Sequence, residues 1–231
     1  MLSDFLSHLE EFRRRLFIIL AAFALAAAAG FFYSGPLLSF LLYPIRDFYA
    51  QGLVFHKPQE AFLIHVQVAL MAGVFFSSPV FFIQVWRFAV PGLYAHERKT
   101  GAALALWSIA LFTAGILFAY AVAVPWGLNF LLGFQSPSLR PLITAAEYFS
   151  FLTGMFLAFG ILFVFPVFIV GAVRLGVVTP ERLARSRRLV VLIIFIAAAI
   201  LTPSPDPASQ ILLALPLLAL FEGALWFSRR E

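Results

Sequence analysis

HLEEFRRRLFIILAAFALAAAAGFF, residues 8–32, decides the class of this chain. It opens with charges, and from Leu16 to Phe32 it carries none. A helix rises about 1.5 Å per residue, so this run approaches the roughly 20 residues that cross a bilayer core of about 30 Å. Three arginines beside it suit an anchor at a membrane surface. Glu10 and Glu11 need a separate account, because anchoring does not require acids.

The rest of the chain has the same character. Of 231 residues, 63% are hydrophobic and 12% charged, whereas a soluble domain carries about 45–50% apolar and about 25% charged residues. A polytopic membrane protein is expected. The net charge of +5 then marks cytoplasmic loops rather than a nucleic-acid partner, and none is expected. The absence of cysteine excludes disulfides, thiolate catalysis and cysteine metal sites. Histidines 8, 56, 65 and 96 have no metal-ligand spacing, so no metal or other cofactor is expected. The start, MLSDFLSHLEEF, is acidic and amphipathic, unlike a secretory signal. Leu2, Phe5, Leu6, Leu9, Phe12 and Leu16 recur at helical spacing and predict an amphipathic cytoplasmic helix that runs into the first span.

Six spans are expected, over about residues 16–32, 61–85, 102–124, 148–173, 189–201 and 209–227. Of the 16 basic residues, all but Arg46, Lys57 and Arg140 fall on one side of this arrangement. The positive-inside rule therefore places both termini in the cytoplasm. The last two spans look short, which points to local bilayer thinning or to snorkelling arginines. Pro79, Pro125, Pro166 and Pro216 fall within apolar stretches, and kinked spans predict an all-α protein shaped as a concave wall. In the first loop, Ser34 or Gly35 is expected to cap a short surface helix with Pro36 at its first position.

Ionisable groups inside spans are suspects for function. Here they are His65, read as a satisfied polar residue, and Glu222 near the end of the sixth span. No proton relay, paired aspartates or nucleophile–base pair appears, and an enzyme is not expected. A small-solute secondary transporter is the alternative function, but it calls for inverted repeats and midplane polar groups. The chemistry is therefore sought among Glu10, Glu11 and Glu97 on the cytoplasmic side. They serve as helix and loop charge balance, with Glu11–Arg15 and Glu10–Arg14 at i, i+4. Otherwise two carboxylates from separate elements converge on a cationic ligand, best a pair of guanidinium groups.

Four stretches occur in order: HLEEFRRRL (8–16), FFIQVWRFAVPGLYAHERK (81–99), GVVTPERLARSRR (176–188) and LTPSPDPASQILLALPLLALFE (201–222). Together they resemble the TatC family of the twin-arginine protein translocase over essentially the whole chain, with Phe12 in place of the family's leucine. The resemblance implies a multi-pass protein of a prokaryotic plasma membrane that binds twin-arginine signal peptides of folded proteins. It further implies assembly with TatA-type and TatB-type single-span partners, and transport driven by the proton-motive force. Carried over by position, Glu11 and Glu97 form the acidic pair for the signal peptide. Arg13, Arg15, His8, Phe88, Pro91, Leu93 and Tyr94 support the same surface. Pro44, Phe62, Asp206 and Gln210 match partner or translocation positions. Val164 stands where the family often has a polar or acidic residue, and Thr153 or Gln67 is expected to supply a polar contact instead. A homo-oligomer in a larger lipid-embedded complex is expected, since no pore for folded cargo fits inside 231 residues.

Overall fold

The structure, a computed structural model, describes residues 2–46, 53–89, 98–136, 142–174, 179, 187–201 and 207–228. Helix α1 runs Leu2–Phe32, α2 Ser34–Leu41, α3 Pro58–Ala89, α4 Arg98–Phe118, α5 Val124–Leu132 and α6 Ala145–Arg174. Helix α7 is Arg187–Leu201 and α8 is Pro207–Ser228. Among the described residues no strand is present, only an isolated bridge between Val54 and Thr144. Among the described residues four helical stretches are long and apolar enough to cross a membrane: 8–32, 58–89, 101–132 and 145–174. Their outward surface agrees with that class. Leu25 is 74% exposed and Phe32 86%, a placement that water would penalise and lipid favours.

The chain forms two compact units. One comprises Met1–Phe40 and Phe62–Ala110, the other Leu41–Ala61 and Leu111–Glu231. In the first, α1 meets α3 through small residues. A Cβ built on Gly30 would lie 2.8 Å from Ala72 Cβ, and one on Gly73 would lie 2.9 Å from Ala27 Cβ. Apolar burial gives little drive between helices in lipid, so such close backbone approach and its dispersion contacts hold them together. Polar ties supplement it. Trp86 Nε1 donates to Ser108 Oγ at 2.9 Å, and that hydroxyl donates to the Leu104 carbonyl. His65 Nδ1 lies 2.8 Å from Ser34 Oγ. His65 is thus the satisfied polar residue expected of it. Ser34 is the first residue of α2 rather than a cap outside it, because the chain turns at Tyr33 and helical bonds resume at once, Leu37 N–H to Tyr33 C=O.

In the second unit α6 is the most enclosed helix, with Tyr148, Phe149, Leu152 and Phe159 almost wholly buried. Its start is fixed by a capping box. Thr144 Oγ1 accepts the Glu147 N–H, while Glu147 Oε2 accepts the Thr144 N–H at 3.1 Å. The Tyr148 hydroxyl donates to the Leu41 carbonyl at 2.6 Å, satisfying one of the helix-end carbonyls that α2 leaves open. Gly115 of α4 lets the Phe159 backbone approach closely, and Gly160 of α6 receives the Phe112 ring.

The third apolar stretch continues past Val124. Residues Ala119–Ala123 form a π turn, after which α5 begins with Pro125 in its first turn. Proline lacks an N–H and crowds the carbonyl four residues back. A wider turn just ahead of it accommodates both effects and lets the helical path reach Leu132. Helix α7 has 15 residues, about 22 Å, well short of a bilayer core. Helix α8 has 22 residues, about 33 Å, with Pro207 at its first position. Of these two helices, as far as they are described, α7 is the shorter. A proline at the start of a helix loses no intrahelical bond, so α8 begins earlier than the apolar pattern indicated.

Candidate functional site

The charged end of α1 lies against the end of α3 within the first unit. Residues 8, 11, 12 and 15 recur at helical spacing on α1, and residues 84 and 88 are one turn apart on α3. His8 and Phe12 flank the Phe88 ring, with centroids 5.1 and 5.8 Å away. Beside them Arg15 is held from two sides. Its Nε donates to Glu11 Oε1 at 3.0 Å, and its Nη2 donates to the same oxygen. Its Nη1 donates to Gln84 Oε1 at 3.1 Å. The Arg15 side chain is 19% exposed and that of Glu11 34%, so the pair sits at the edge of the packed surface. Arg13, Arg14 and Glu10 are exposed. Glu11 lies ahead of the apolar run, and the Arg15 guanidinium holds its carboxyl below the usual carboxylate range. At neutral pH this site therefore presents an ionised acid on an aromatic floor, with one oxygen engaged internally.

Glu11, Arg15, His8 and Phe88 are thus brought together, with Arg13 exposed on the same helix. Glu97, Pro91, Leu93 and Tyr94 lie outside the described residues, as does Asp206. Pro44 sits in a 3-10 turn, Tyr43–Ile45, that buries Ile45 and leaves Tyr43 under the Arg46 guanidinium. Phe62 is exposed and packs edge-on against Phe31. Gln210 Nε2 donates to the Phe195 carbonyl at 2.9 Å and so ties α8 to α7. Glu222 pairs with Arg187 across the same two helices, with Nε 2.6 Å from Oε1. Val164 is 1% exposed, inside the second unit. The Thr153 hydroxyl donates to the Phe149 carbonyl one turn back.

Gln84 is the site residue that sequence reasoning did not single out. Its signal was present: a lone amide in FFIQVWRF, one helical turn before Phe88.

The family description "Sec-independent protein translocase protein (TatC)" matches residues 7–216. The chain belongs to the TatC family. TatC of Aquifex aeolicus is 36% identical over 225 residues, covering 96% of this chain and 93% of that relative. TatCd of Bacillus subtilis is 35% identical over 226 residues, covering 98% and 91%. A crystal structure of the twin-arginine translocase receptor TatC in DDM superposes with a TM-score of 0.84 at 36% identity, covering 96% of this chain and 99% of that one. A second crystal structure of that receptor gives 0.82 at the same identity. Family membership makes this chain a multi-pass membrane component of Sec-independent protein translocation. It also sets aside the small-solute transporter alternative.

Proposed function

We propose that this TatC-family chain is the receptor for twin-arginine signal peptides, which it binds at the cytoplasmic face through Glu11 and Glu97. The observation that carries the proposal is the ionised Glu11 on the His8–Phe12–Phe88 surface, where α1 meets α3. A carboxylate there matches a guanidinium in two parallel bonds, and the aromatic rings accept the flanking apolar side chains. Glu97 supplies the second carboxylate from the segment between α3 and α4, to which Pro91, Leu93 and Tyr94 also belong. Arg13 sets the charge at the rim. In this proposal the chain crosses the plasma membrane six times with both termini cytoplasmic. It works as one of several copies in a complex with TatA-type and TatB-type single-span proteins. Pro44, Phe62, Asp206 and Gln210 mark partner or translocation surfaces, and the proton-motive force drives transport.

The test is binding of a twin-arginine signal peptide, beside its twin-lysine version, to the purified chain in nanodiscs. Glu11→Ala and Glu97→Ala are each expected to weaken arginine-peptide binding about tenfold or more, the loss of a charge-assisted contact. They should also erase the preference over lysine. Equal binding of both peptides, unmoved by either substitution, would overturn the proposal.

A further inference from the structure

Three arginines follow Glu11 in sequence, and only one of them turns inward. Arg13 and Arg14 are exposed. Arg15 instead places its Nε and Nη2 on Glu11 Oε1, and its Nη1 on Gln84 Oε1. The guanidinium thus occupies the carboxylate that the proposed receptor function assigns to the cargo. The contact is of the kind that a cargo arginine would make. From this geometry we infer that Arg15 is an internal occupant of the signal-peptide site, and that Gln84 is the positioning residue that retains Arg15 when cargo displaces it. The inference rests on the receptor proposal above.

The physical consequence concerns affinity and not selectivity. A ligand that needs Glu11 must first exchange with Arg15, so its apparent affinity falls by the fraction of time Glu11 is free. That cost belongs to the unliganded protein and is the same for every ligand. It therefore cancels from the ratio of two peptides' affinities. Gln84 keeps the exchange gentle. One Arg15 bond persists as the other two break, so the displaced guanidinium is not left without an acceptor at a site where it is only 19% exposed. The result is a receptor whose hold on a signal peptide is tempered, which suits a component that must release each cargo.

The test uses the full chain in nanodiscs, with twin-arginine and twin-lysine peptides as probes. Arg15→Gln is expected to tighten both peptides by the same factor, about two- to tenfold, the range from an ordinary helix ion pair to a charge-assisted contact. The arginine-to-lysine ratio should stay unchanged. Gln84→Glu, which offers Arg15 a competing carboxylate, is expected to tighten both peptides as well, and it remains informative if Arg15→Gln does not fold. In a Glu11→Ala background neither substitution should produce the gain. Unchanged or weakened binding in folded Arg15→Gln, or a gain that persists without Glu11, overturns the inference. Failure of the receptor proposal reads differently: Glu11→Ala alone would leave twin-arginine binding intact.

Discussion

Gly115→Ala adds one methyl group where α4 packs closely on α6. The new Cβ would lie 2.5 Å from the Phe159 carbonyl oxygen, 3.0 Å from its carbon and 2.9 Å from Phe163 Cβ. Ordinary contact begins near 3.4 Å, so the helices must part by about 0.9 Å. No side-chain rotation relieves this, because the nearest atoms are the Phe159 carbonyl and the Phe163 Cβ, which no rotamer change moves. A separation of that size forfeits roughly a quarter to a half of each dispersion contact at the crossing. Such overpacking typically costs about 1–3 kcal/mol. Gly223→Ala is the control, since among the described residues nothing lies within 4 Å of the built Cβ. Both substitutions gain similar helix propensity, so their difference isolates the clash. Titrating micellar protein with SDS, followed by circular dichroism, should place Gly115→Ala about 1–3 kcal/mol below Gly223→Ala. Gly127→Ala should fall between them, because its Cβ meets the tip of the Phe151 ring at 3.2 Å and Met155 Cε at 3.8 Å, both ends of flexible side chains. A Gly115→Ala variant within about 0.5 kcal/mol of the control would refute the close-crossing account of this helix pair.

Ser108→Ala removes the acceptor of the buried Trp86 indole and should cost about 1–3 kcal/mol in the same titration. Combined with Trp86→Phe it should cost less than the sum of the two single changes, and strict additivity would count against the bond. Thr144→Val breaks the capping box and should cost about 1 kcal/mol. The readout is faster amide hydrogen exchange confined to the first turn of α6, and unchanged exchange there would exclude a capping role. Four leucines inserted into the 15-residue α7 should lower export in reconstituted vesicles if the bilayer thins around it. Unaltered export would assign its shortness to packing alone.

The helices were legible because long uncharged runs leave little choice of structure in lipid, where each backbone group must find a partner within its own segment. Leu2–Phe32 illustrates this: apolar spacing in its first turns merges into an apolar run, and one helix results. The third stretch was expected to end near residue 124, and nothing in residues 119–123 announces the π turn after which the helical path goes on to Leu132. The start of α6 was written in the spacing of Thr144 and Glu147, yet a capping box is easily passed over beside so apolar a segment. At the site, the Glu11–Arg15 pair follows from one-turn spacing on a single helix. The contact with Gln84 could not follow from spacing, because it joins residues 69 positions apart. It depends on how α1 and α3 dock, and small residues such as Gly30 and Gly73 set that docking without indicating its register.

Helix α1 is unbroken from Leu2 to Phe32 and contains no proline. It therefore has no hinge between Glu11 and Gly30, which lie about 28 Å apart along the axis. At its far end Gly30 abuts Ala69 and Ala72 with no slack for a rotation. Under the receptor proposal, a torque applied at Glu11 by a bound peptide would meet no proline hinge along α1. It would reach the opposite end of the same helix, where Phe31 and Phe62 meet. The charged and apolar ends of α1 are thus joined by one continuous helix whose second half is rich in alanine.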